Sequence, residues 1–180
     1  MKIGIDIDET LVDTEILIKK YWKDYVSKYP NNNYNSSIPD NIYNGWDDNY
    51  ITTFWDLYRE SLKYPPFKEN AVEIIKKLKK NNTLCIVTSR EKHKYKDLVN
   101  NLDKWLKSND IYMDKIYTDV RKKGIFSKEN DIDLLIDDSI DHIQEADSLG
   151  IKTILFNNKK YNVKYQTNNW LDLYEIIKEL

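Results

Sequence analysis

Five short runs rich in Ile, Leu and Val punctuate the 180-residue chain: Lys2 to Ile7, Leu84 to Thr88, Lys115 to Thr118, Asp133 to Ile136 and Lys152 to Phe156. Apolar runs this short read as strands buried on both faces. The segments between them have helical spacing. In Asn70 to Lys80, for example, Ala71, Ile74, Ile75 and Leu78 share one side and lysines crowd the last turn. Lys94 to Leu106, Ser139 to Leu149 and Asn169 to Leu180 follow the same pattern. Strands alternating with helices predict βαβ units, and hence an α/β fold with a parallel sheet covered on both faces.

One interval breaks the alternation. About 70 residues separate the first two strands, far more than a single crossover helix needs. A helix is predicted over Thr14 to Lys28, then the low-complexity loop Asn31-Asn32-Asn33-Tyr34-Asn35-Ser36-Ser37, then a helix over Asn49 to Leu62, closed by Pro65-Pro66. Residues 13–66 therefore read as a small helical insertion, with 1–12 and 67–180 forming the core domain. The stretch Tyr21 to Tyr64 holds 12 of the chain's 23 aromatics. Helical spacing sends part of that excess into a local core.

Composition narrows the function classes. The 28 basic and 30 acidic residues give a formal charge of -2, which argues against an extended nucleic-acid surface. The lone Cys85 cannot form an internal disulfide, and no Cys/His spacing suggests zinc. A reducing, cytoplasmic setting is expected. Acids interrupt the apolar N-terminus, unlike a secretory signal, and no run reaches the roughly 18 apolar residues of a membrane span. The sequence leaves the oligomeric state open.

Four stations carry chemistry. The first strand runs into Asp6-Ile7-Asp8-Glu9-Thr10, where alternation puts Asp6 and Asp8 on one side at the ligand-binding end of an open sheet. Two carboxylates so placed are tolerable beside a divalent cation or with one of them protonated. The second strand delivers Thr88, Ser89 and Arg90 to the same edge. Hydroxyls, following N–H groups and a guanidinium can hold phosphate oxygens, although a Thr-Ser pair also serves as an ordinary helix cap. Arg121-Lys122-Lys123 opens a helix, and Asp137-Asp138 ends a buried strand where adjacent acids need a cation or a lysine. His93 and His142 fall in helical contexts and are expected to be surface residues. Asp141 serves either the acid pair or the start of its helix.

The order and separation of Asp6/Asp8/Thr10, Thr88, Lys123 and Asp137/Asp138 resemble the motif set of the haloacid dehalogenase-like (HAD) phosphohydrolases. The resemblance spans essentially the whole chain, including an insertion placed where that family carries helical caps. The phrases Val-Thr-Ser-Arg and Leu-Leu-Ile-Asp-Asp look most like its 5′(3′)-deoxyribonucleotidase group. The resemblance implies a three-layer Rossmann-like core with a five-stranded parallel sheet ordered 5-4-1-2-3. It implies magnesium-dependent hydrolysis of a small phosphate ester, with a 5′- or 3′-(deoxy)nucleoside monophosphate favoured. Asp6 would attack phosphorus and form an aspartyl-phosphate, while Asp8 protonates the leaving alcohol and then activates water. Thr88, Ser89, Arg90 and Lys123 would hold phosphate, with Lys128 an alternative to Lys123. Magnesium would meet the Asp6 carboxylate, the Asp8 carbonyl and one of the pair Asp138 and Asp137, with Asp138 favoured. Phe54 and Trp55 are the candidate base contacts.

Two other readings compete. The cluster Lys92-His93-Lys94-Tyr95-Lys96 would suit a 3′-phosphatase acting on nucleic acid ends. A phosphotransfer receiver domain shares the residue types, but its acid pair comes early in the chain, whereas here it comes late.

Overall fold

The computed structural model describes residues 1–30 and 47–180. The Asn-rich loop at 31–37 lies outside the described residues. The described chain divides into two compact units, Met1–Val12 with Phe67–Leu180, and Asp13–Pro66.

The larger unit is built on strands β1 (Lys2–Ile5), β2 (Thr83–Val87), β3 (Lys115–Tyr117), β4 (Leu134–Asp137), β5 (Lys152–Phe156) and β6 (Gln166–Thr167). All pairings are parallel, in the order β3-β2-β1-β4-β5-β6. The sheet thus has six strands, a correction to the expected five. The sixth is a two-residue polar strand pairing with Leu155 and Phe156, too short and too hydrophilic to leave an apolar run. Register aligns Ile3 with Leu84 and Leu134, and Ile5 with Ile86 and Ile136. These residues share one face, where they pack against α3 (Ala71–Lys79), α4 (Leu98–Ser108) and α7 (Trp170–Glu179). The alternate residues Val87 and Leu135 face the other way, into clusters with Phe126 of α5 (Lys123–Glu129) and Ala146 of α6 (Ile140–Ser148). Most residues of β1, β2, β4 and β5 are buried on one face or the other, which is why the sequence shows apolar runs rather than alternation.

Several boundaries differ from expectation, including the second helix, which ends at Tyr58 rather than Leu62. The first strand ends at Ile5 rather than Ile7, so Asp6 and Asp8 lie on the loop that follows. The helix expected from Lys94 starts at Leu98, after a short 3-10 turn over Lys92–Lys94. Asp97 takes a left-handed backbone (φ 47) just before it, which a continuous right-handed helix cannot accommodate.

The smaller unit contains α1 (Thr14–Lys28) and α2 (Asp48–Tyr58). Asp13 and Asp47 cap them, accepting from the N–H groups of Ile16 and Tyr50. Their facing stripes enclose Ile18, Trp22, Tyr25, Tyr50, Phe54 and Leu62. Tyr25 donates its hydroxyl to the Tyr50 carbonyl at 2.9 Å, and Tyr58 donates to Asp24 at 2.5 Å, so these two tyrosines pack into the core with their hydroxyls satisfied. No helix among the described residues is long and apolar enough to cross a membrane.

Candidate active site

The order β3-β2-β1-β4-β5-β6 turns back on itself at β1, and the crevice at the carboxyl ends of β1 and β4 is where such sheets take ligands. The loop leaving β1 is tied down tightly. Asp6 N–H donates to the Ile136 carbonyl, both Leu11 and Val12 N–H groups donate to Ile7 O, and Trp170 Nε1 donates to Thr10 O. Glu9 adopts a left-handed backbone (φ 56), and its carboxylate pairs with Lys68 at 2.9 Å. These bonds fix where the two acids of the loop can point.

Lys123 is the centre of the arrangement. It is the first residue of α5, 2% exposed, with Nζ 2.5 Å from Asp6 and 2.7 Å from Asp137. Burial works against its charge, but the two flanking carboxylates hold its pKa above the ordinary lysine value. Lys128, one turn on, is exposed. Sequence spacing left these two lysines open; the fold brings Lys123 to the acids.

Asp6, Asp137 and Asp138 converge, with one oxygen from each lying within 4.8 Å of the others. Asp137 is fully buried and committed: Oδ2 accepts from Lys123, and Oδ1 from the Ser139 N–H and from His142 Nδ1 at 3.1 Å. Burial opposes its charge, yet His142 and Lys123 together keep its pKa low. Among the described residues no other side chain hydrogen-bonds the Asp138 carboxylate, and burial next to Asp137 pushes it up to about 7. Asp6 is pushed up to about 8 by burial and by Asp137, Asp8 and Asp138, against the pull of Lys123. Three buried or half-buried carboxylates share one ammonium, and two of them resist ionising. That donor set fits a hard divalent cation with oxygen ligands. Asp137, its oxygens already occupied, anchors Lys123; Asp6 and Asp138 are the carboxylates of the cluster with room to hold such an ion.

The remaining expected residues divide. Thr88 is 1% exposed at the end of β2, and its Oγ1 accepts from Arg90 N–H at 3.2 Å. Ser89 was expected to hold phosphate, but its hydroxyl donates to the Val120 carbonyl at 2.9 Å. Arg90 was expected to do the same. Its guanidinium instead forks onto Asp8, with Nε to Oδ2 at 2.9 Å and Nη2 to Oδ1 at 2.7 Å. The Asp8 carboxylate is therefore outside the acidic cluster. Phe54 is fully buried among Tyr25, Trp55 and Tyr58, which corrects its assignment as a base contact: helical spacing sends it to the core of its own unit. Trp55 is half-buried.

Sequence reasoning missed His142. It sits in the first turn of α6, where a residue five after Asp137 comes back over the helix start, and it is half-buried rather than on the surface. Its pKa is raised by the hydrogen bond to Asp137. His93 and Asp141 are exposed. The basic cluster near Arg90 is partly neutralised, because Lys94 pairs with Glu91.

Solved structures share this architecture along the full chain. A haloacid dehalogenase-like hydrolase from Streptococcus pneumoniae aligns with a TM-score of 0.69 at 15% identity, covering 98% of this chain and 97% of that one. The putative HAD-hydrolase YfnB from Bacillus subtilis, solved bound to magnesium, aligns at 0.64 and 17%, covering 98% of each. The chain has the fold of the haloacid dehalogenase-like hydrolases. Among curated proteins, a nucleotidase of Clostridium acetobutylicum is 25% identical over 191 residues, spanning 100% of this chain and 95% of that protein. No protein-family profile matches the chain.

Proposed function

We propose that the chain is a magnesium-dependent phosphomonoesterase acting on a small phosphate ester of the nucleoside monophosphate class, with Asp6 as nucleophile and residues 13–66 as the cap. The observation that carries this reading is the Lys123 ammonium lodged between Asp6 and Asp137, with Asp138 in the same cluster. The likeness to a curated nucleotidase supports the substrate class.

Hydrolysis of a phosphate monoester needs charge neutralisation, in-line placement and a proton for the leaving oxygen. An Asp6 oxygen attacks phosphorus as the bond to the alcohol oxygen breaks, giving an aspartyl-phosphate. The Asp8 carboxyl gives its proton to that alcohol, then takes one from the water that attacks the acyl phosphate and regenerates Asp6. Lys123 and the Thr88 hydroxyl steady the non-bridging oxygens. Asp137 holds Lys123 in place and is itself held by His142 and the Ser139 N–H. Magnesium, held by Asp6, Asp138 and the Asp8 carbonyl, would supply positive charge that keeps Asp6 ionised and offsets the charge on the transferring group.

The test is release of inorganic phosphate from p-nitrophenyl phosphate and from a panel of nucleoside monophosphates and sugar phosphates, with and without magnesium. Magnesium-dependent turnover that favours nucleotides is expected. Asp6→Asn should fold normally, bind phosphate with magnesium, and fall below about one-thousandth of wild-type kcat. Substantial turnover by that variant would remove Asp6 from its role, and wild type inert on every ester would sink the reading as a whole.

A further inference from the structure

The expected phosphate grip of Arg90 and its observed position disagree, and the geometry decides what the residue does. Its side chain is 5% exposed and meets Asp8, 82 residues earlier in the chain, through two near-parallel bonds of 2.9 and 2.7 Å. Such a fork fixes distance and also the plane of the carboxylate, which a single bond would leave free to rotate. The loop carrying Arg90 is itself held. Arg90 N–H donates to Thr88 Oγ1, and the Arg90 carbonyl accepts from Asp119 N–H at 2.9 Å. On the other side, the Asp8 side chain stays 38% exposed.

We propose that Arg90 is the positioning residue of Asp8: it aims the carboxyl group that exchanges the proton with the leaving oxygen and does not bind the phosphoryl group. The inference rests on the phosphomonoesterase reading and adds to it a way to separate the two steps of substrate handling. Proton delivery matters in proportion to the basicity of the leaving oxygen. An alkoxide needs it, whereas p-nitrophenolate leaves without it. Loss of aim at Asp8 therefore slows formation of the aspartyl-phosphate, read as kcat/KM, selectively for alkyl phosphates, since the water-activating step is common to all esters and enters kcat alone; loss of a phosphate ligand lowers kcat/KM for all esters alike.

The experiment measures kcat and KM for a nucleoside 5′-monophosphate and for p-nitrophenyl phosphate, together with inhibition by inorganic phosphate, in wild type, Arg90→Met, Arg90→Lys, Asp8→Asn and the double variant Asp8→Asn/Arg90→Met. Misplacing or losing a general acid removes on the order of 100-fold, so Arg90→Met should lower kcat/KM on the nucleotide by about that factor and on p-nitrophenyl phosphate by less than about 5-fold. The inhibition constant for phosphate should stay within about 3-fold, since no phosphate contact is lost. Arg90→Lys, which keeps the charge but not the fork, should fall between. In the Asp8→Asn background the Arg90 change should add nothing further, because a residue acting through Asp8 has nothing left to aim. Equal losses of kcat/KM on both esters with a raised phosphate inhibition constant would overturn the proposal and return Arg90 to phosphate binding. So would an undiminished effect of Arg90→Met in the Asp8→Asn protein. If Arg90→Met lacks the wild-type near-UV spectrum, Arg90→Lys with and without Asp8→Asn carries the same comparison. Wild type that turns over neither ester fails at the earlier step, and takes the phosphomonoesterase reading down with this one.

Discussion

Lys123 shows how much of the site depends on a single charge. Its ammonium is buried between Asp6 and Asp137, and removing one partner of a buried ion pair leaves the others uncompensated in a medium that solvates them poorly. Lys123→Met should therefore cost about 3–5 kcal/mol of unfolding free energy in the metal-free protein, read from urea midpoints. Exposed Lys128→Met should change stability by no more than about 0.5 kcal/mol. Equal effects of the two variants would mean that the buried ammonium carries no special weight. The same contrast shows what the sequence could tell at this scale. It presented both lysines as candidates, since it records spacing but not which way the first turn of a seven-residue helix faces. The pairings of Arg90 and His142 were not foreseen, for two different reasons. Arg90 meets Asp8 because the sheet brings together loops 82 residues apart, which no local pattern encodes, whereas His142 meets Asp137 through the turn of backbone between β4 and α6, which residue identity alone does not show. Phe54 and Trp55 are adjacent aromatics, and only the helical phase against Tyr25 and Tyr50 separates the buried one from the half-buried one.

Elements fix those side chains to within a fraction of an ångström, and Gly124 is where α5 meets that requirement. A Cβ there would lie 2.6 Å from the backbone nitrogen of Ala146 and 2.8 Å from the Glu145 carbonyl carbon, both in α6. Glu145 also accepts from the Gly124 N–H at 2.7 Å, tying the start of α5 to α6. Gly124→Ala must push the two helices apart and carry Lys123 with them. It should cost about 1–3 kcal/mol and lower kcat more than it raises KM. An unchanged melting temperature would show that the helices separate freely. The loops beside the site have their own electrostatic tie, since Glu91 pairs with both Lys94 and Arg121. Hydrogen bonds from those two cations lower its pKa from 4.5 to about 2. A carboxyl depressed in the folded state stabilises it fully above its ordinary value, and that contribution fades as the pH falls from 4.5 towards 2. Wild type should thus be more stable than Glu91→Gln at pH 6, and the difference should shrink progressively as the pH falls from 4.5 towards 2, measured by thermal melts across that range. A constant difference would place the effect in packing. At this scale the sequence was most informative where burial is two-sided, as in the apolar runs of β1, β2, β4 and β5. It was least informative where polar residues adopt regular structure through backbone pairing alone, as at Gln166–Thr167, or where one left-handed residue, Asp97, resets a helix start.

Across the whole molecule the formal charge is only -2, yet the acidic cluster concentrates its imbalance at one sheet edge. Asp6, Asp137 and Asp138 set three potential negative charges against the single ammonium of Lys123, while Asp8 and Arg90 cancel as a pair. A dication brings the cluster to neutrality, so the folded state should bind one and the unfolded chain, with its acids dispersed, should not. Linkage converts that difference into stability of about 2.7 kcal/mol at a free magnesium concentration 100 times its Kd, or roughly 5–10 °C in Tm for a chain of this length. Chelation with EDTA should reverse the shift completely. Asp138→Asn should abolish most of it, since among the described residues Asp138 is the cluster carboxylate with no side chain hydrogen-bonded to it and is therefore the one whose charge the ion relieves. Asp8→Asn, whose carboxylate lies outside the cluster and whose backbone carbonyl is untouched, should keep the shift. A magnesium-induced shift lost equally in both variants would mean that the ion responds to general acidity at this edge. No shift in wild type would mean that Lys123 and protons alone balance the cluster, and that the three carboxylates converge for the sake of the lysine.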